Sequence, residues 1–193
     1  MRKAMLFLLL LSVGFLLSMA AGWIDVGLTR WPVKTFRDRD RSLVRLLAVD
    51  TTVEALTRAG RPPDSAFRGR SRIAPEETTV YRVRATFTRM FDGADGDMHL
   101  VLADPANPSR VLIAEIPLPL FSLGSGFGER FRREREEVRR RLPPRAQMVE
   151  VTGVGFFDYH RNRSRENGLE LHPVIGLKFL SPAPTQSRRK PGF

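Results

Sequence analysis

The sequence predicts a mainly β fold, a small barrel with one helix set between its strands, and three observations carry that reading. Short runs in which apolar and polar residues alternate are separated by turns rich in Gly, Pro, Asp and Asn. The runs fall into a group of three and a group of two, and one amphipathic helical stretch lies between the groups. At 193 residues the chain has room for one modest domain. It contains no Cys, which excludes a disulfide framework, a thiolate nucleophile and a thiolate metal site, so stability has to come from the core.

Arg2 and Lys3 precede an apolar run from Ala4 to Met19, and Ser18-Met19-Ala20 places small residues where a signal peptidase reads. A signal peptide over 1–20 is expected, and with it a secreted or periplasmic protein. The alternative is an uncleaved N-terminal membrane anchor carrying an exported domain, because Ala4 to Val26 is nearly long enough to span a bilayer. Residues 21–78 read as an N-terminal arm, a short helix and a loop. Trp23 to Val33, interrupted by Pro32, is expected to be extended. Thr51 and Glu54 stand at capping-box spacing and open a short helix that ends near Gly60. Asp64 to Glu77, with Gly69 and Pro75 and almost no periodicity, reads as a loop.

The barrel-like domain is expected over 79–180. Tyr81, Val83, Ala85 and Phe87 alternate with Arg82, Arg84, Thr86 and Thr88, which predicts a half-buried strand. After the acidic turn Phe91 to Asp97 come strands at Met98 to Ala103 and Val111 to Ile116, making an antiparallel meander. Phe127, Phe131, Val138 and Leu142 give a helix over 127–142 one narrow apolar stripe. Its other positions hold seven Arg and four Glu. Pro143-Pro144 ends it. Met148 to Tyr159 returns to strand, with Gly153 and Gly155 suggesting a coiled or closely approached backbone. Leu169 to Leu180 is the last strand, with Ile175, Leu177 and Phe179 inward. The Pro- and Arg-rich end, 181–193, is expected to be a disordered basic tail. Three strands, a helix and two strands is the order of the oligonucleotide- and oligosaccharide-binding (OB) barrel. An α+β sandwich of the same elements is the alternative.

The charge is strongly basic, with 32 Lys and Arg against 21 Asp and Glu and a formal net charge of +11. That fits contact with a polyanion or an anionic envelope surface, and Arg82, Arg84, Arg130, Arg133 and Arg140 are the candidate contacts. The chemistry-bearing pattern lies elsewhere. Each of the three His follows an acid by two positions: Asp97 and His99, Asp158 and His160, Glu170 and His172. Two-residue spacing on a strand puts carboxylate and imidazole on one face. Such pairs suit either acid–base work or a divalent metal. Glu115, on the intervening strand, supplies a further carboxylate if it faces the same cleft. His99, His172, Glu115 and Glu170 are the candidate metal ligands. Asp97 and Asp158 complete the candidate site. The sequence has no Gly-x-Ser-x-Gly elbow, phosphate-loop lysine motif or His-Glu-x-x-His.

The blocks His99-Leu100-Val101-Leu102, Ile113-Ala114-Glu115-Ile116-Pro117, Val151-Thr152-Gly153-Val154-Gly155-Phe156-Phe157-Asp158 and Asn167-Gly168-Leu169-Glu170-Leu171-His172-Pro173-Val174 resemble those of a family of bacterial exported proteins of uncharacterised function. The likeness extends to Trp31-Pro32-Val33-Lys34-Thr35. It implies export and a shared polar site at Asp97, His99, Glu115, Asp158, Glu170 and His172, without His160, and supplies no reaction. Two functions follow as expectations. One is metal-assisted hydrolysis of an anionic, phosphodiester-type substrate. The other is a non-catalytic module binding nucleic acid, oligosaccharide or an envelope partner.

Overall fold

A computed structural model describes residues 30–141, 146–159 and 167–180. The expected signal peptide, His160, the end of the helix at Leu142 with its following prolines, and the basic tail lie outside the described residues. Among the described residues there are six strands: β1 (Arg45–Thr51), β2 (Thr79–Asp92), β3 (Met98–Ala103), β4 (Val111–Ile116), β5 (Gln147–Phe157) and β6 (Leu169–Phe179). Helices α1 (Val53–Thr57) and α2 (Gly128–Arg140) accompany them, besides a helical turn at residues 30–34. Strands β2 to β6 close on themselves in the order β2-β3-β4-β6-β5 and back to β2, with α2 between β4 and β5. This is a five-stranded barrel of OB topology, so the sandwich alternative falls.

Closure depends on local devices in the strands. Strand β2 is long enough to serve two neighbours: residues 80–87 pair with β5 and residues 86–92 with β3. A register shift between Phe87 and Arg89 bends it between these roles. On β5, a Cβ at Gly155 would stand 2.4 Å from the Glu76 carbonyl oxygen, and one at Gly153 would stand 2.9 Å from Leu171 Cβ. The two glycines thus let backbone approach where any side chain would block it. Strand β6 carries two register shifts against β5 around Pro173 and Ile175. Proline lacks the N–H that a regular ladder needs and is placed where the ladder is already interrupted. Between β4 and β6, which run parallel, the recorded bridge is Ala114 with Leu171.

The barrel interior is filled from alternate positions: Val83, Ala85 and Phe87 on β2, Leu100 and Leu102 on β3, Leu112 and Ala114 on β4, Val149 and Val151 on β5, Leu171 and Val174 on β6. Helix α2 adds Phe131 and Val138. Leu177 and Phe179, expected inward, are only partly buried and pack at the core's margin, as does Tyr81.

The N-terminal region departs most from expectation. Residues 30–34 are helical where an extended arm was expected. Pro32 sits in the first turn, where no intrahelical N–H is required, and the Arg37 N–H closes onto the Pro32 carbonyl at 2.7 Å. Strand β1 was not anticipated. It pairs parallel to β2 outside the barrel. Helix α1 is capped by Thr52, whose Oγ1 accepts from the Ala55 N–H at 3.0 Å, one residue later than expected, and ends at Thr57. The expected loop after it holds 3-10 turns at Asp64–Arg68 and Glu76–Thr78 and buries Phe67 completely. Buried ion pairs fasten this region to the barrel. Arg72 forks onto Asp38 with bonds of 2.9 and 2.6 Å, Arg30 pairs with Glu77, and Glu77 accepts the Phe157 N–H at 3.0 Å. Among the described residues, no helix is long and apolar enough to cross a membrane.

Candidate functional site

Strand alternation creates a second buried face. His99, Glu115, Glu170 and His172 point away from the barrel interior that Leu100, Ala114 and Leu171 fill. Cross-strand register then aligns them: Phe91 opposes His99, His99 opposes Glu115, and Phe156 opposes Glu170. The segment at 30–34 lies over this row and shuts it from water. Arg30 and Lys34 stand over the Phe156 ring at 5.3 and 5.9 Å.

Glu115 is the hub. Its Oε1 lies 2.8 Å from His99 Nδ1 and its Oε2 lies 2.9 Å from His172 Nδ1, so one carboxylate joins both imidazoles. Lys34 Nζ is 3.5 Å from Glu115 Oε2 and 3.4 Å from Asp95 Oδ2. His172 Nδ1 is also 3.6 Å from Glu170 Oε1. Its other nitrogen, Nε2, faces Asp97 Oδ2 at 3.4 Å. Both of those atoms are buried, and neither has a hydrogen-bond partner among the described residues. Asp97 is held from behind: its Oδ1 accepts the Leu118 N–H at 3.0 Å. His99 stacks on Phe91 with ring centroids 4.7 Å apart and keeps a 12% exposed side chain, the edge of the cluster that meets solvent.

Electrostatics follow from this geometry. Burial works against charge on Glu115, yet its bonds to His172 and His99, reinforced by Lys34, hold it well below the usual carboxylate range. Burial, assisted by Lys34, would also lower His172. Its bonds to Glu115 and Glu170 outweigh both and raise it to about 9. Burial opposes charge on Lys34 as well, but Glu115, Glu170, Asp158 and Asp97 keep its ammonium charged beyond the ordinary lysine range. Asp97 is shifted up, because burial dominates the attraction of His172 and Lys34. Interaction with His99 and Lys34 moves Asp95 down.

The expected residues therefore meet unequally. His99, Glu115, Glu170, His172 and Asp97 share one cluster. Asp158 is half-buried at the end of β5 and is felt by Lys34 through its charge. Of the expected acid-and-imidazole pairs, Glu170 and His172 do meet, at 3.6 Å, whereas Asp97 faces the His172 ring across the sheet instead of His99, whose Nε2 lies 4.0 Å from Asp95. Asp97, Glu115 and His172 each present a ligand atom within 4.8 Å of the others, an arrangement able to hold a metal ion. His99 and Glu170 stand outside that set.

Sequence reasoning did not select Lys34, Asp95 or Arg135. Lys34 carries no periodic signal, although it lies in the Trp31 to Thr35 block. Arg135 occupies the stripe between Phe131 and Val138, and spacing of four and three residues marks it as inward. It donates to the Gly96 and Ile116 carbonyls at 3.1 and 3.0 Å and reaches Asp92 at 3.3 Å, pinning the loop that carries Asp95 and Asp97.

The candidate polyanion contacts have internal partners. Arg82 forks onto Asp50, Arg84 bonds Glu150 at 3.2 Å, Arg140 pairs with Glu137, and Arg130 donates to the Ile175 carbonyl. Arg133 is exposed. The groove of about 620 Å³ beside Arg82 and Arg84 is lined by Asp50 and Glu150 too, so its charges offset one another.

No family model and no curated protein matches the sequence. Among solved structures the chain is similar to asparaginyl-tRNA synthetase of Entamoeba histolytica, at 13% identity with a TM-score of 0.41, and to that enzyme in complex with asparaginyl-adenylate, at 14% identity with a TM-score of 0.40. Each comparison covers 72% of this chain and 24% or 25% of the other, so the chain spans about a quarter of the length of the proteins it matches.

Proposed function

We propose that this is an exported metal-binding barrel, in which Asp97, Glu115 and His172 take one divalent first-row ion for hydrolysis of an anionic, phosphodiester-type substrate. The observation that carries the reading is the buried, facing pair His172 Nε2 and Asp97 Oδ2, 3.4 Å apart and without hydrogen-bond partners among the described residues. Buried polar atoms are normally satisfied, and a pair left open toward each other marks a place for a ligand. One imidazole with two carboxylates suits zinc, manganese or iron. Glu170, outside the ligand set and 3.6 Å from His172 Nδ1, is placed to steady the ring from behind, the usual outer support of a metal-bound histidine. A divalent ion there would polarise a phosphoryl oxygen and acidify a bound water. His99, at the solvent edge and bonded to Glu115, is placed to pass the proton outward.

The complete burial of Asp97, Glu115 and His172 favours a second reading, a non-catalytic binding module whose ion fixes the shape of this face. One experiment separates the two. Chelated protein is dialysed against zinc or manganese, its metal content measured, and hydrolysis of an activated phosphodiester followed. Stoichiometric uptake is expected, abolished by Asp97→Asn and His172→Ala. His99→Ala should retain the metal and lose turnover by about 10²-fold or more, the scale of a general acid–base group. Uptake without turnover in any form would leave the binding module. Wild-type protein that takes up no metal, or variants that bind it unchanged, would end both metal readings.

A further inference from the structure

We propose that the face formed by β1 and the loop before α2 docks on an anionic lipid surface. The described residues with large exposed apolar side chains are concentrated there: Leu43, Leu46, Leu47 and Val49 on one segment, Leu120, Phe121 and Leu123 on the other. Two bonds bring the segments together, Arg37 to the Phe121 carbonyl and Arg41 to the Gly124 carbonyl. Leu47 is 86% exposed, and its exposure is built in by the backbone. Between Arg45, opposite Thr79, and Val49, opposite Tyr81, β1 advances four residues while β2 advances two. The two extra residues make a bulge that lifts Leu46 and Leu47 off the sheet.

Charge selects the occupant. Arg37, Arg39, Arg41 and Arg45 are all exposed around these apolar residues. Of the two aspartates among them, Asp38 is buried against Arg72 and Asp40 is half-buried, so the exposed arginines keep the excess. Aliphatic side chains that can enter the headgroup boundary, ringed by cations, are the make-up of an interfacial membrane contact. A second copy of the chain would bring the same four arginines against each other. A nucleic-acid surface would use stacking aromatics, whereas the exposed side chains here are chiefly leucine. Trp31 packs edge-on against Phe121 at 5.4 Å and joins the helical turn at 30–34 to this face. This surface stands apart from the metal reading, since it uses none of the cluster residues.

Because the chain has no Cys, single labelling sites are clean. Leu47→Cys, Leu123→Cys and Ala106→Cys, all at exposed positions, are each labelled with an environment-sensitive dye; Ala106 lies in the turn at the opposite end of the β3–β4 hairpin. Intact folding of each labelled protein is checked by its circular dichroism melt. On vesicles mixing phosphatidylcholine with phosphatidylglycerol, the dyes at 47 and 123 should brighten several-fold and be quenched by brominated lipid, while the dye at 106 stays aqueous. Pure phosphatidylcholine should give a much weaker response. Arg39→Gln and Arg45→Gln should each weaken the response about fivefold, the equivalent of ~1 kcal/mol per cation at the surface. Protein that sediments with vesicles while the dyes at 47 and 123 remain aqueous would be held by its N-terminal run alone and would overturn the proposal. Equal brightening at all three positions, or loss of the dye response into a concentration-dependent dimer, would overturn it as well.

Discussion

His172 is a buried imidazole flanked by Glu115 at 2.9 Å and Glu170 at 3.6 Å, and its titration should be visible in the stability of chelated protein. Its folded value is raised from 6.5 to about 9. The charged form is therefore favoured by folding, and this contribution is fully present below pH 6.5 and lost as pH rises through about 9. The expected loss is on the order of 3 kcal/mol across that window. Denaturant unfolding at a series of pH values should show the fall in wild-type protein and not in His172→Gln; parallel curves would remove the imidazolium from the account. The same residue explains what the sequence could and could not show. Acids two positions from each histidine signalled a polar cluster, but sequence spacing reports only neighbours on the same strand. The contacts that matter, Asp97 with His172 and Glu115 with both rings, cross between strands and depend on register.

At the scale of elements, legibility tracked burial. Strands β3 and β4 are bounded in the structure as their alternation and turns indicate, and β5 and β6 differ by a residue or two at their ends. Strand β1 escaped because its leucines do not face a core; backbone pairing to β2 holds it, and backbone pairing leaves no apolar period to read. Helix α2 was visible as a stripe of apolar residues, and a stripe drawn from apolar residues alone passes over Arg135. Its guanidinium is buried and ends on two carbonyls, a use that only the neighbouring loop reveals. The glycines of β5 give the element-scale prediction. Gly155→Ala drives a methyl into the Glu76 carbonyl, a backbone group that cannot swing away, and should cost about 1–3 kcal/mol or more. Gly60 has open space around its Cβ position, so Gly60→Ala should be neutral or slightly stabilising. Thermal melts of the two variants check the contrast; equal midpoints would mean that β5 shifts freely away from the Glu76 turn.

For the whole molecule, with a net charge of +11, several surface arginines of the described residues are spent on nearby carboxylates, Arg82, Arg84, Arg132, Arg140 and Arg141 among them, while Arg37, Arg39, Arg41 and Arg45 stay exposed on one face. Binding to single-stranded DNA or heparin should accordingly be weak, fall steeply with added salt and show no preference among base sequences. Titrations at several salt concentrations test this, and tight binding that survives high salt would contradict it. The barrel's closure bears on the site in another way. β4 and β6 meet at the Ala114–Leu171 bridge, and the very next residues of both strands, Glu115 and His172, bond to each other across that line. The narrowest seam of the barrel is thus latched from outside by an ionisable pair. Neutralising, protonating or ligating that pair is therefore expected to change how easily the cylinder opens along this line.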